Sequence, residues 1–350
     1  MKINVLVNFY GGLYSSVQVA KKQLLTSDGK YRIMSMDIEK LVLYASEEGI
    51  DFSFVNYPDI DFSIDYSKQF FIYTSSEDEG LLYKSYLEDV LYTLQMKGAI
   101  LIPEWKYMRA HHNKVMMEML RDTVLSSIDT GVRSRSFGCN EEFFKEIDSI
   151  VFPCVFKTAA GAGSSGVSLF KDKESATKYL NIVNNNHKYS IREKILIKAG
   201  RMKKSPYSLF RNKFVIQNFI KGLGGDYKVL IFGNKYYALS RTNRDNDFRA
   251  SGGGRLNYEP VLPKGILDFA KSIYDALNTP VLSLDIAHDG KRFYLIEFQC
   301  LHFGTATLEY STHFYMLENG EWTCHQDASI LEKEFVVALK QFIQQNYNDK

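Results

Sequence analysis

Cysteine is scarce in this chain of 350 residues: only Cys139, Cys154, Cys300 and Cys324 occur. They are scattered, with no Cys-x-x-Cys pair and no zinc-type spacing. That excludes a disulfide framework or a zinc ribbon and favours a reducing compartment. An excess of one charge is also lacking. Lys and Arg number 43, Asp and Glu 41, and the net charge is +2. No bulk attraction to nucleic acid or to a membrane surface follows from such a balance. No run is long and apolar enough to span a bilayer. The opening MKINVLVNFYGG loses its apolar run at Gly11-Gly12 and does not read as a signal peptide. Internal repeats and low-complexity tracts are absent. The expectation is a cytoplasmic protein with no nucleic-acid and no membrane partner; a homodimer is an open alternative to the monomer.

What is present suffices for a sizeable core: 45% of the residues are hydrophobic. The length suggests roughly two domains of ~100–200 residues. The first third alternates strands and helices. Ile3–Asn8 reads as a strand, broken by Gly11-Gly12, and Leu13–Leu25 has helical spacing. The strand–glycine–helix start lacks the full GxGxxG spacing and reads as a plain connecting turn. Asp37–Glu48 and Tyr83–Met96 read as helices, and Phe52–Tyr57, Gln69–Tyr73 and Ala99–Ile102 as strands. Ser76–Asp78 suits a helix cap. Such alternation predicts a mostly parallel sheet covered by helices. Glu104–Leu120 then reads as one helical stretch. His111 and His112 are adjacent and would point to different faces of it, so solvated or locally bonded histidines are expected rather than a shared metal site.

The middle third carries the first chemical signal. Val151–Lys157 is an apolar strand ending in a lysine, Thr158–Gly166 is all Gly, Ala and Ser after its first residue, and Val167–Phe170 is a second strand. A loop of this kind offers many backbone N–H groups with no bulky side chains, which suits a phosphate. It is not a Walker loop, since no Gly-Lys-Ser/Thr opens a helix. Lys213–Ile220 is an apolar strand, and Asp226–Phe232 and Tyr236–Arg241 flank the turn at Gly233-Asn234. Arg241, Arg244, Arg249 and Arg255 follow among glycines. Arginines on a glycine-freed backbone can grip phosphate or carboxylate with two parallel hydrogen bonds; a solvated basic loop is the other reading. Ile266–Leu277 is an amphipathic helix stopped by Pro280, and Ala328–Gln345 closes the chain as a packing helix.

Val281–Gln299 reads as two strands joined at Asp289-Gly290. Leu282, Leu284 and Ile286 alternate with Ser283, Asp285 and Ala287. Phe293, Leu295, Glu297 and Gln299 alternate with Tyr294, Ile296 and Phe298. Carboxylates in strands this apolar need compensation. A regular hairpin lets Asp285 and Glu297 face each other, with Gln299 on the side of Glu297. Two readings fit: an oxygen-ligand site for Mg²⁺, or an edge hairpin whose acids face water.

The order of these pieces resembles the ATP-grasp superfamily over about Glu104 to Thr307, and within it the carboxylate–amine ligases. Those include ribosomal-protein glutamate ligases and D-alanine–D-alanine ligase. The resemblance rests on the lysine strand, glycine hairpin, IQNFI strand, Arg/Gly loop and the Asp285, Glu297, Gln299 spacing. It implies a mixed α/β and α+β architecture: an N-terminal α/β domain over 1–110 and an ATP-grasp domain over 111–350. The latter would have a central lobe at about 120–212 and a C-terminal lobe at about 213–350. Lys114 and Lys157 look like the two lysines that hold ATP phosphates. Gly161, Gly163, Ser164, Ser165 and Gly166 look like the loop that closes over them. Gln217, Asn218, Phe219 and Ile220 resemble the adenine-reading segment between the lobes, with Asn218 where an acid is common. Asp226 and Lys228 resemble the polar pair after it. Arg241 and Arg249 look like ligands of the γ-phosphate and the substrate carboxylate, and the loop ending at Arg255 like the stabiliser of the transferred phosphoryl group. Asp285, Glu297 and Gln299 would hold Mg²⁺, with Mn²⁺ as a substitute; Gln299 stands where the family usually has Asn.

The implied reaction joins a carboxylate to an amine through an acyl phosphate, releasing ADP and phosphate. No protein nucleophile is needed, which agrees with the lack of a Ser/His/Asp or Cys/His constellation. The expected substrates are a small-molecule carboxylate and an amine, among amino acids, peptides or sugar acids. The alternatives are a kinase on the same scaffold and a nucleotide-binding protein without turnover.

Overall fold

A computed structural model describes residues 1–8, 36–161, 166–183, 189–203, 211–243, 249 and 255–347. The expected glycine turn at 11–12 and the helix at 13–25 lie outside them.

The N-terminal part comprises β1 (Lys2–Val7), α1 (Ile38–Glu47), β2 (Asp51–Asn56), β3 (Phe70–Ile72), α2 (Leu82–Met96) and β4 (Ile100–Ile102). The strands form one sheet in the order β2-β1-β3-β4, and every pairing is parallel, as the alternation predicts. Asp37 caps α1 by accepting from the backbone N–H groups of Glu39 and Lys40. Asp78 does the same for the start of α2, through Tyr83 and Lys84.

The expected helix over 104–120 is two helices, α3 (Trp105–Ala110) and α4 (Lys114–Thr123). His112 breaks the run with a left-handed φ of 50°. The Asn113 side chain caps the new start through Met116 N. This break overturns the expectation that His111 and His112 diverge. Both rings approach Glu77, and His111 is buried rather than solvated.

Next come β5 (Ser134–Phe137), α5 (Asn140–Glu146), β6 (Cys154–Thr158), β7 (Val167–Phe170), α6 (Lys173–Val183), α7 (Ile191–Lys198) and β8 (Phe214–Asn218). Their strands form an antiparallel sheet in the order β5-β8-β6-β7. β8 therefore pairs with the strands of the central segment, although the boundary read at 213 sets it beyond them. An aromatic cluster of Phe137, Phe143, Phe156, Phe170 and Phe214 fills the core beneath.

The remainder holds β9 (Gly225–Phe232), β10 (Lys235–Thr242), β11 (Leu256–Asn257), α8 (Ile266–Leu277), β12 (Val281–His288), β13 (Phe293–Gln299), α9 (Ala306–Tyr310), β14 (Phe314–Glu318), β15 (Glu321–His325) and α10 (Leu331–Tyr347). Seven strands form one antiparallel sheet, β13-β12-β9-β10-β14-β15, with β11 on β10. α8 buries Ile266, Ala270, Ile273 and Leu277 against Leu282, Leu284 and Leu295. Each such Ile or Leu stabilises by about 1.5–3 kcal/mol. α10 packs Phe335, Val336, Leu339 and Ile343 into the same core as Val5, Leu41 and Ile72, so the chain's two ends share one apolar cluster. The four cysteines are free, as their scatter suggests. No helix among the described residues is long and apolar enough to cross a membrane.

Candidate active site

The lysine side is built from α4 and β6. Lys114 opens α4; its backbone N donates to Ala159 O at 2.8 Å, and its Nζ donates to Gly161 O at 2.7 Å. The helix start is thereby docked on the first residues of the glycine loop, where N–H groups and helix dipole favour an anion. Lys157 lies on β6 and is buried. Burial pulls its ammonium pKa down, the carboxylates of Glu118 and Glu297 oppose that, and Arg121 and Lys114 push it down further. Glu118 is 1% exposed and takes both Arg121 Nε (2.8 Å) and the Ser134 hydroxyl (2.8 Å). Burial alone would raise its pKa, but Arg121 and Lys157 hold it below the ordinary range.

Glu118 and Arg121 are absent from the candidates above, although the helix pattern marks them. Positions 114, 118 and 121 share one face of a helix whose other buried positions are apolar.

The loop after β6 is shaped by two glycines. A Cβ at Gly166 would lie 1.8 Å from Thr158 Oγ1, and Gly161 has a φ of 125°. Gly163, Ser164 and Ser165 lie outside the described residues.

The segment from Gln217 to Ile220 carries the chain from the central sheet to the seven-stranded one. Gln217 is buried, and its Nε2 has no hydrogen-bond partner among the described residues. The Asn218 side chain accepts from Arg133 N at 2.7 Å and closes the edge of β5. Phe219 and Ile220 are half-buried, Ile220 against Val132 and Tyr294.

The carboxylate side is a row across four strands. Arg241 pairs with Asp226, Lys228 with Asp285, Asp285 with Glu297, and Ser283 with Gln299. The hairpin register expected from sequence is therefore present. One detail differs: a bulge at Ile296 puts Ile286 opposite Leu295, so Leu295 joins the core of Leu284 and Phe298 instead of the face of Glu297. The bulge is what allows Glu297 and Gln299 to leave the core while Leu295 stays in it.

Arg241 grips Asp226 with both ends of its guanidinium and also reaches Asp285 Oδ2 at 2.8 Å. Lys228 donates to the Ser283 hydroxyl at 2.8 Å and lies 3.5 Å from Asp285 Oδ1. Asp226 is pushed up, by burial first and by the neighbouring Asp285 second. Burial also pushes Asp285 up, but Arg241 and Lys228 outweigh it and leave this carboxyl below its ordinary value. Arg241 is thus no solvated arginine. Gly225 lets β10 approach: a Cβ there would lie 2.0 Å from Arg241 O. Arg249 is half-buried; Arg255 is exposed, and its carbonyl accepts from Thr242 N at the end of β10. Arg244 and residues 251–254 lie outside the described residues.

Two carboxylates and an amide oxygen on one face of adjacent strands are the donor set a hard divalent cation takes. Glu297 facing Asp285 directly across the ladder is a like-charge pair that such an ion would relieve. The residues present fit Mg²⁺, provided Asp285 shares or releases its contacts with Arg241 and Lys228.

No family model matches the sequence, and no curated protein matches it. Solved structures do. The structure of D-alanine–D-alanine ligase from Bacillus anthracis complexed with ATP aligns over 100% of both chains, with a TM-score of 0.53 and 14% identity. D-cycloserine synthetase DcsG aligns over 98% of this chain and 100% of its own, with a TM-score of 0.54 and 11% identity. Likeness at such identities establishes the fold, and the chain has the ATP-grasp fold.

Proposed function

We propose that this chain of ATP-grasp fold is an ATP-dependent ligase that joins a carboxylate to an amine and releases ADP and phosphate. The observation that carries the reading is the position of Lys157. It stands on the central sheet yet senses the charge of Glu297 on the hairpin of the other sheet. That proximity supports reading the lysine and the carboxylate as parts of one site, the first for phosphate and the second for metal. Lys114 and Lys157 would hold the nucleotide phosphates, with the loop 161–166 closing over them. The backbone of 217–220 would meet the base, and Asp226 and Lys228 would line the path toward the phosphates. Asp285, Glu297 and Gln299 would hold Mg²⁺, which supplies charge neutralisation on the transferring phosphoryl group. Arg241, Arg249 and Arg255 would bind the phosphoryl oxygens and the acceptor carboxylate as charge accumulates there. An acyl phosphate is lost to water, so loop closure must keep the site dry until the amine attacks.

The domains in this reading are 1–110 and 111–350, and the pairing of strand 214–218 with β5 and β6 supports counting it with the central lobe. The acceptors are small carboxylates and amines of the amino-acid, peptide or sugar-acid classes, and the free cysteines suit the cytoplasm. The test is ADP release with candidate acid–amine pairs, followed by product mass. An amide adduct supports the reading. AMP and pyrophosphate, or a phosphate ester, would overturn it. ATP binding that stabilises the protein without any ADP would favour a nucleotide-binding role.

A further inference from the structure

Three histidines meet one glutamate where three parts of the chain converge. Glu77 lies after β3, His111 and His112 fill the gap between α3 and α4, and His302 follows β13. Glu77 Oε1 lies 3.8 Å from His111 Nε2, 3.7 Å from His302 Nε2 and 3.0 Å from His112 Nε2. The first two spacings are too long for a hydrogen bond. A bridging water, with two bonds of roughly 2.8 Å, would set its partners about 4.5 Å apart. An ion with bonds of about 2.0–2.1 Å to nitrogen and oxygen sets tetrahedral ligands roughly 3.4 Å apart. The observed spacings are nearer to those of a metal shell.

The ring orientations fit the same occupant. His111 Nδ1 lies 2.7 Å from the Ser75 hydroxyl, and His302 Nδ1 lies 3.1 Å from the Thr74 hydroxyl. The Thr74 hydroxyl oxygen can accept from His302 Nδ1–H in the tautomer that carries the ring proton there. That bond leaves Nε2 of His302 as the lone-pair nitrogen, facing Glu77. Hydroxyls that bind Nδ1 and aim Nε2 inward are the outer-shell arrangement of ligating histidines. His111 Nε2 is buried with no hydrogen-bond partner among the described residues. His112 and His302 both adopt left-handed backbone, with φ of 50° and 53°, a strain that clusters at functional sites.

We propose that Glu77, His111 and His302 form a metal centre for a zinc-type divalent ion, separate in its ligands from the hairpin carboxylates. Imidazole nitrogens with one carboxylate select Zn²⁺ or a neighbouring first-row ion over Mg²⁺. Three protein ligands leave one position open, as in catalytic zinc sites. Access is through Glu77 and His112, whose side chains are 16% and 13% exposed. His112 holds the Glu77 carboxylate without being a ligand. The centre would tie the N-terminal sheet, the inter-helix turn and the loop after β13 to one ion.

The test is titration of the full chain with Zn²⁺ alone, without nucleotide or Mg²⁺, read by calorimetry and melting temperature. One equivalent is expected, with a rise in Tm. His111→Ala and Glu77→Gln should each weaken binding at least about tenfold, and Ser75→Ala by about tenfold through ring orientation. His112→Ala should retain the stoichiometry. Co²⁺ should give a visible band that His111→Ala abolishes, and circular dichroism verifies that the variants are folded. Cys324→Ser should retain the ion, which separates this centre from a surface site at Cys324 and His325. No binding by the wild type, an unchanged His111→Ala, or loss of the ion in Cys324→Ser would overturn the proposal.

Discussion

Two buried charge clusters flank the candidate site, and they are balanced differently. On the central side Glu118 faces Arg121 and Lys157, which leaves one formal positive charge in excess. On the other side Asp226 and Asp285 face Arg241 and Lys228, and the formal charges cancel. The first cluster can therefore accept an anion without rearranging. The second is closed on itself, and a cation can enter only by loosening the grip of Arg241 or Lys228 on Asp285. The resting cost of the site therefore lies on the carboxylate side.

The largest effect belongs to Glu297, the acid that lies between the clusters. Glu297→Ala should lower ADP-forming turnover by about a thousandfold or more, since it removes the carboxylate proposed to meet metal and phosphates. Steady-state ADP release checks it, and near-normal turnover would refute the site. Next comes Arg241→Ala. It leaves two buried carboxylates short of their shared partner, so the protein should lose about 3–5 kcal/mol in urea unfolding. A loss under about 1 kcal/mol, the value of an exposed pair, would mean the cluster is open to water. Lys157→Ala should be milder for folding, because it relieves the charge excess. ATP affinity should weaken by about 1.5–3 kcal/mol through the lost charge-assisted contact. An unchanged dissociation constant would make Lys157 a structural counter-ion of Glu118 only.

Much of this division was legible in the sequence because it follows strand periodicity. The Asp285–Glu297 register, the parallel N-terminal sheet and the helix Ile266–Leu277 all come from local alternation and turn residues. What escaped was whatever depends on a break in periodicity. The bulge at Ile296 shifts Leu295 to the other face of its strand, and no local residue announces it. The stop at His111–Asn113 was hidden because no Gly or Pro marks it; a left-handed His112 and the Asn113 cap do so instead. Arg241 reads from sequence either as a phosphate or carboxylate ligand or as part of a solvated basic loop, because its partners Asp226 and Asp285 are 15 and 44 positions away in the chain. Those distances close only when β9, β10 and β12 lie side by side.

The smallest expected effect is also the one that separates the two carboxylates of the closed cluster. Asp226 has its folded-state pKa raised and Asp285 has it lowered. For a raised carboxyl the folded chain holds the proton where the unfolded chain has released it. Stability then falls as pH rises from the ordinary carboxylate range to the raised value. For a lowered carboxyl, stability is present above the ordinary range and is lost as pH falls below it. The two slopes occupy different windows. Asp226→Asn should flatten the decline on the neutral side, which one proton limits to about 1.4 kcal/mol per pH unit, and should leave the acid limb in place. Asp285→Asn should abolish the acid limb and only shorten the neutral decline, because burial is the first cause of the Asp226 shift and the Asp285 charge the second. Urea midpoints of both variants and the wild type, measured from acid to neutral pH, check this. If both substitutions flatten the same limb, the proton belongs to the pair jointly, and Arg241 does not distinguish its two partners.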